Sequence, residues 1–122
     1  MKIALVLMAA ASAVALALPA QAAPHDIPCI LISEMRNHTV GDDHTLYFDV
    51  SGRATYRAVM SNNCLAGAVS SDPIVLRDRF GTGRICNRID LDVSSRGARC
   101  IVQSLTKLTP AEAAALPNRV KP

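Results

Sequence analysis

The chain is predicted to be all-β: a small disulfide-stapled barrel or curved antiparallel sheet with one short C-terminal helix. Three observations carry this reading. Short runs of alternating apolar and polar residues are separated by turns containing Gly, Asn or Asp. Four cysteines, an even number, all follow a leader-like N-terminus. A single strong helix-start signal stands near the C-terminus.

The N-terminus reads as a secretory signal peptide over residues 1–22. Lys2 supplies the positive start, residues 3–18 are almost uninterruptedly apolar, and Pro19, Ala20, Gln21 and Ala22 form a helix break and a small-residue cleavage site. The mature chain is expected to begin at Ala23 as a single small β domain over residues 23–122. The apolar run is too short for a membrane anchor, so no integral membrane segment is expected after signal cleavage. The expected location is periplasmic or secreted, where cysteines can pair.

Residues 27–32 are rich in β-branched side chains and predict the first strand. Residues 37–43, with Gly41, Asp42 and Asp43, predict a loop. The clearest strand follows: Leu46, Phe48 and Val50 share one parity, and Thr45, Tyr47 and Asp49 the other. Ser51 and Gly52 predict a tight hairpin turn into a strand over residues 53–60. Residues 67–73 read as loop and 74–80 as a short strand ending at Gly81, Thr82 and Gly83. Residues 85–93 alternate well, although Asn87 falls on the inward parity. A turn over residues 94–97 and a final strand over residues 99–105 complete the sheet. Thr109, Pro110 and Glu112 then combine a capping threonine, a proline at the first helical position and a glutamate that can close the capping box. Alanines 113–115 continue that helix, and Pro117 stops it. Leu108 and Leu116 are expected to pack it across an open end of the sheet. A two-sheet sandwich is the alternative architecture.

Cys29, Cys64, Cys86 and Cys100 are expected to form two structural disulfides. The expected pairing is Cys64 with Cys86, closing a loop around the irregular middle, and Cys29 with Cys100, tying the first strand to the last. The spacings of 35, 22 and 14 residues resemble neither a redox-active pair nor a zinc knuckle.

Loss of Lys2 with the leader leaves twelve basic and ten acidic side chains, a net charge near +2. Ten of the twelve bases are arginines interspersed with aspartates, so the dense basic block of a nucleic-acid binder is missing and no nucleic acid is expected as partner. Arg77, Asp78, Arg79 and Arg84 form the one local cluster able to receive an anionic ligand. Tyr47 and Tyr56 on adjacent strands are candidates for a binding face. No histidine pattern supports a metal site: His38 and His44 flank Asp42 and Asp43 without a ligand spacing. Ser61, Ser70 and Ser71 lack a nucleophile elbow, and Asp49, Asp90 and Asp92 lack the long cleft that a glycosidase pair needs. No catalytic residue, metal or cofactor is assigned.

The mature chain also resembles a family of small exported bacterial proteins of unknown function. The residues that carry the resemblance are Cys29-Ile30, Asp43 with Thr45-Leu46 and Phe48, Tyr56-Arg57, Asn62 with Cys64 and Gly67, Ile85-Cys86 with Asp90, and Cys100. The tail Leu108-Thr109-Pro110-Ala111-Glu112 matches that family's Leu-Thr-Pro-x-Glu segment. The step Asn87-Arg88-Ile89 departs from it, since the family often places Gly just before the Asp. The resemblance implies export and a shared small fold and supplies no catalytic residues.

The expected function is a non-enzymatic exported binding or structural accessory protein of the bacterial envelope. Its partner would be an envelope protein or a small anionic ligand. The candidate binding residues are Tyr47, Tyr56, Arg57, Arg77, Arg79, Arg84 and Asp90. The alternatives are a small envelope hydrolase, or an inhibitor-like protein that occludes a secreted partner with a loop over residues 65–84.

Overall fold

A computed structural model describes residues 28–122. The predicted signal peptide over residues 1–22 and the first residues of the predicted mature domain lie outside the described residues. Nine strands and one short helix follow in the order β1 (Ile30–Leu31), β2 (Met35–Val40), β3 (Thr45–Val50), β4 (Ala54–Met60), β5 (Ile74–Asp78), β6 (Arg84–Ile85), β7 (Leu91–Ser95), β8 (Ala98–Cys100), β9 (Val102–Lys107) and α1 (Pro110–Ala115). They form three antiparallel sheets, ordered β2-β3-β4-β9, β5-β7-β8 and β1-β6. The sheets do not close into a barrel, so the curved-sheet form of the prediction is the one realised.

The four-stranded sheet is built by alternation. Leu46, Phe48 and Val50 of β3 and Tyr56, Ala58 and Met60 of β4 are buried on one face. They join Ile30 and Ile85 of the two-stranded sheet and Ile74, Leu91, Val93 and Cys100 of the three-stranded sheet in a single core. The turn between β3 and β4 holds Ser51 at φ 57° and Gly52 at φ 67°. Positive φ at both central residues matches the strand twist, which is why Ser-Gly closes this hairpin. A second turn of the same kind, Arg96 at φ 50° and Gly97 at φ 80°, joins β7 to β8.

Three predicted strands are corrected. The first predicted strand is only two residues long and runs into a 3-10 turn over Ile32–Glu34. The predicted loop over residues 37–43 begins as β2, whose polar sequence MRNHTV hides a strand interrupted by a register shift between Met35 and His38. The predicted strand over residues 85–93 is cut in two. Asp90 accepts hydrogen bonds from the backbone N–H of Cys86 (2.8 Å) and Asn87 (3.2 Å), while Asn87 Oδ1 accepts from Ile89 N (2.8 Å). These local bonds offer the backbone an alternative to the ladder and turn it. The off-parity Asn87 is one of the residues that make that turn. The predicted final strand is likewise two strands in two sheets, with Ile101 at the crossing.

The cysteine pairing is also corrected: Cys29 bonds Cys86, and Cys64 bonds Cys100. The reason is register. Ile30 faces Ile85 and Leu31 faces Arg84, so the same antiparallel register brings Cys29 opposite Cys86. For the second bridge, Asn62 acts as a clamp. Its Nδ2 donates to Arg99 O (3.0 Å) and its Oδ1 accepts from Ile101 N (2.9 Å), gripping the backbone on both sides of Cys100. Arg96 adds a hydrogen bond to Ala66 O from the β7–β8 turn.

The C-terminal helix forms as predicted, with Thr109 and Glu112 closing a capping box. Leu108 is buried and Leu116 half-buried. Beyond the helix, Val120 is buried apart from the main core, and its carbonyl accepts a hydrogen bond from Thr39 of β2. Thr39 pairs with Tyr47 on the face opposite Phe48, so the chain end lies on the outer side of the four-stranded sheet. No helix among the described residues is long and apolar enough to cross a membrane.

Candidate functional site

The outer face of the three-stranded sheet gathers cations. Leu91, Val93 and Ser95 of β7 point into the core, so Asp92 and Ser94 point outward. Arg77 of β5 stands directly opposite Asp92, and Val75 of β5 and Arg99 of β8 both stand opposite Ser94. Arg79 N donates to Asp90 O at 2.7 Å, which extends the β5–β7 ladder past Asp78 and returns Arg79 to the parity of Arg77. Three guanidinium groups therefore share one sheet face with one carboxylate. Asp92 Oδ1 lies 3.6 Å from Arg99 Nε and 4.0 Å from Arg79 Nη2.

These pairs are half-exposed, and such pairs contribute roughly 0–1 kcal/mol each. Folding stability is therefore a poor explanation for the cluster. The carboxylate offsets one charge of three and holds two guanidiniums over the sheet. Two other arginines are occupied elsewhere: Arg88 donates to Val102 O (3.3 Å) and Arg96 to Ala66 O. Arg77, Arg79 and Arg99 make no hydrogen bond from their side chains to another described residue. Exposed apolar groups accompany them. Val75 shares the face, and Phe80 (63% exposed) and Ile101 (57% exposed) adjoin it in sequence.

The seven predicted candidates are dispersed. Arg77 and Arg79 come together as expected, but Arg84 belongs to the two-stranded sheet, opposite Leu31. Asp78, grouped with them by sequence, instead caps a turn by accepting from Thr82 N and Gly83 N, both at 2.9 Å. Tyr47 and Tyr56 do not form one face. Tyr56 is buried on the core side and stacks on Phe48 with ring centroids 5.5 Å apart. Its burial pushes the phenol pKa upward. Tyr47 is on the outer side, paired with Arg57. Its ring packs against Gly41, where an added Cβ would lie 2.7 Å from a ring carbon. Asp90 holds the 86–90 turn, so its carboxylate is engaged by backbone.

Arg99 is the residue that sequence reasoning did not select. Its signal was present in the two-residue turn Arg96-Gly97, which sets Ser95 opposite Ala98 and so places Arg99 diagonal to Asp92. The 65–84 segment is not one free loop, because β5 occupies its middle. Asp42 accepts from His44 N at 2.8 Å, and that hydrogen bond holds its carboxyl below the usual range. Among the described residues no three His, Cys, Asp or Glu side chains converge as metal ligands would. No family model, curated sequence or solved structure matches the chain.

Proposed function

We propose that the chain is an exported, non-enzymatic binding module of the bacterial envelope that docks an acidic protein partner. The docking surface is the outer face of the three-stranded sheet. The observation that supports this most is the sharing of Asp92 by Arg79 and Arg99, with Arg77 beside them on an exposed face. Arginine and exposed apolar groups together are the composition of a protein-docking surface. The excess positive charge favours an acidic partner and fast, salt-sensitive association. The leader-like residues 1–22, the resemblance to small exported proteins and the two disulfides support a periplasmic or secreted location.

The test is site-specific photo-cross-linking from position 94, whose side chain points outward between Val75 and Arg99. A cross-linked acidic protein is expected in envelope extract, lost on triple charge reversal (Arg77→Glu, Arg79→Glu, Arg99→Glu) and weakened at high salt. Cross-links indifferent to both changes, or turnover of an envelope substrate by the purified protein, would overturn the reading.

A further inference from the structure

A separate cavity of about 270 Å³, sharing no lining residue with the arginine face, opens between β1, the β3–β4 turn and the end of β9. Ile30, Val50 and the Tyr56 ring give it apolar walls, and Glu34, Arg53 and Lys107 supply its charges. Its position follows from register. Tyr56 of β4 stands opposite Lys107 of β9, so both side chains leave the same face of the four-stranded sheet. Tyr56 is only 3% exposed, yet it lines the cavity.

A covalent bridge and a backbone hydrogen bond tie the frame around this space. Cys29 in the cavity wall is bridged to Cys86, and Ser51 N donates to Glu34 O at 2.9 Å, fastening the hairpin turn to the 3-10 turn. A preformed site loses little freedom on binding. Size and charge then select the ligand. An apolar cavity of about 150 Å³ already holds benzene, so this one has room for a ring and a small polar group. Two cations against one carboxylate leave a net positive charge, and a phenol hydroxyl is a good donor to an anion.

We propose that this cavity binds a small monocarboxylate with an apolar body. Its hydrocarbon part lies against Ile30, Val50 and the Tyr56 ring, and its carboxylate meets the Tyr56 hydroxyl and the Lys107 and Arg53 cations. The site is independent of the arginine face.

Benzoate is a suitable probe and benzamide its neutral isostere. In NMR titrations of the purified protein, benzoate is expected to shift Tyr56 and Lys107 resonances saturably. The dissociation constant is expected on the order of a millimolar or tighter, as suits a fragment-sized ligand. Benzamide should bind about tenfold more weakly, the worth of one charge-assisted contact. Lys107→Gln, at an exposed position, should cost a similar factor, and Tyr56→Phe should weaken benzoate more than benzamide. Lys121→Gln and the triple arginine reversal should change nothing. Equal affinity for the two probes, shifts centred on Arg77, Arg79 and Arg99, or no saturable shift would overturn the proposal.

Discussion

The four-stranded sheet and the remainder of the domain are held together by different means. In β3 and β4 every second residue is buried, the strands pair over six successive positions, and among the described residues side-chain hydrogen bonds add only a turn cap in which Asp49 accepts from Gly52 N. The segment from Ser61 to Cys100 has shorter strands and longer connections. There Asn62, Asp72, Asp78, Asn87 and Asp90 bond backbone amides or carbonyls, and both disulfides have a partner in it. Periodic apolar burial suffices where strands are long. Where they are short, local polar clamps and covalent bridges replace it, because a small domain has little hydrophobic surplus.

The strongest way to break this contrast is to remove the bridges. The loop-closure relation gives about 4 kcal/mol for each disulfide, comparable with the net stability of a domain this size. Replacing all four cysteines with alanine should therefore leave the chain unfolded in circular dichroism at room temperature. Either bridge removed alone should shift the urea midpoint strongly. If the contrast holds, amides of β5, β7 and β8 in the single-bridge variants should exchange before those of β3 and β4.

Next in size is the core of the regular sheet. Phe48→Ala removes a fully buried ring that stacks on Tyr56 and should cost about 3–5 kcal/mol in denaturant unfolding. It should lower protection in β3 and β4 at least as much as elsewhere. A smaller effect is expected from the clamps. Asn62→Ala or Asp90→Ala leaves backbone groups near a disulfide without their partners and should cost about 1–2 kcal/mol. Asn62→Asp keeps the acceptor for Ile101 N and loses the donor to Arg99 O, so it should recover part of the loss.

The smallest effects are in pH dependence, and they fall at opposite ends of the scale. The Asp42 carboxyl is held low by the His44 amide. Its contribution is present above the ordinary carboxylate range, near pH 4, and is lost as pH falls through its depressed value. Asp42→Asn should flatten that acid limb of the thermal-melt profile. The Tyr56 phenol is held high by burial. Its neutral form stabilises the fold below about pH 10, and that stability declines as pH rises further, because the unfolded chain releases the proton more readily. Absorbance titration should show a late-ionising phenol that Tyr56→Phe removes.

The legible parts of the fold were those written in local pattern. The β3–β4 hairpin, its Ser51-Gly52 turn and the capped helix at Thr109 each depend on residues within a few positions of one another. The illegible parts depended on distant partners. β2 is polar because it is an edge strand: among the described strands only β3 pairs with it, and the Ser70 hydroxyl and Val120 carbonyl meet it from segments remote in sequence. The alternation from Ile85 to Val93 misled because two side chains, Asn87 and Asp90, outcompete the ladder over four residues. Of the arginine face, Arg77 and Arg79 were readable as a local cluster, whereas Arg99 joins only through the β7–β8 register. The cavity was not readable at all, since its walls come from β1, a 3-10 turn, a hairpin turn and β9.

The amino-acid order alone determined the class of fold, the strongest strands, the helix and the presence of four cysteines suited to pairing, because side-chain period and capping act over a turn or two. Which cysteine meets which, which arginines share a face and which tyrosine turns inward were decided only by tertiary structure. Each of those depends on strand register between segments far apart in the chain, and a shift of one residue in that register reverses which face every side chain occupies.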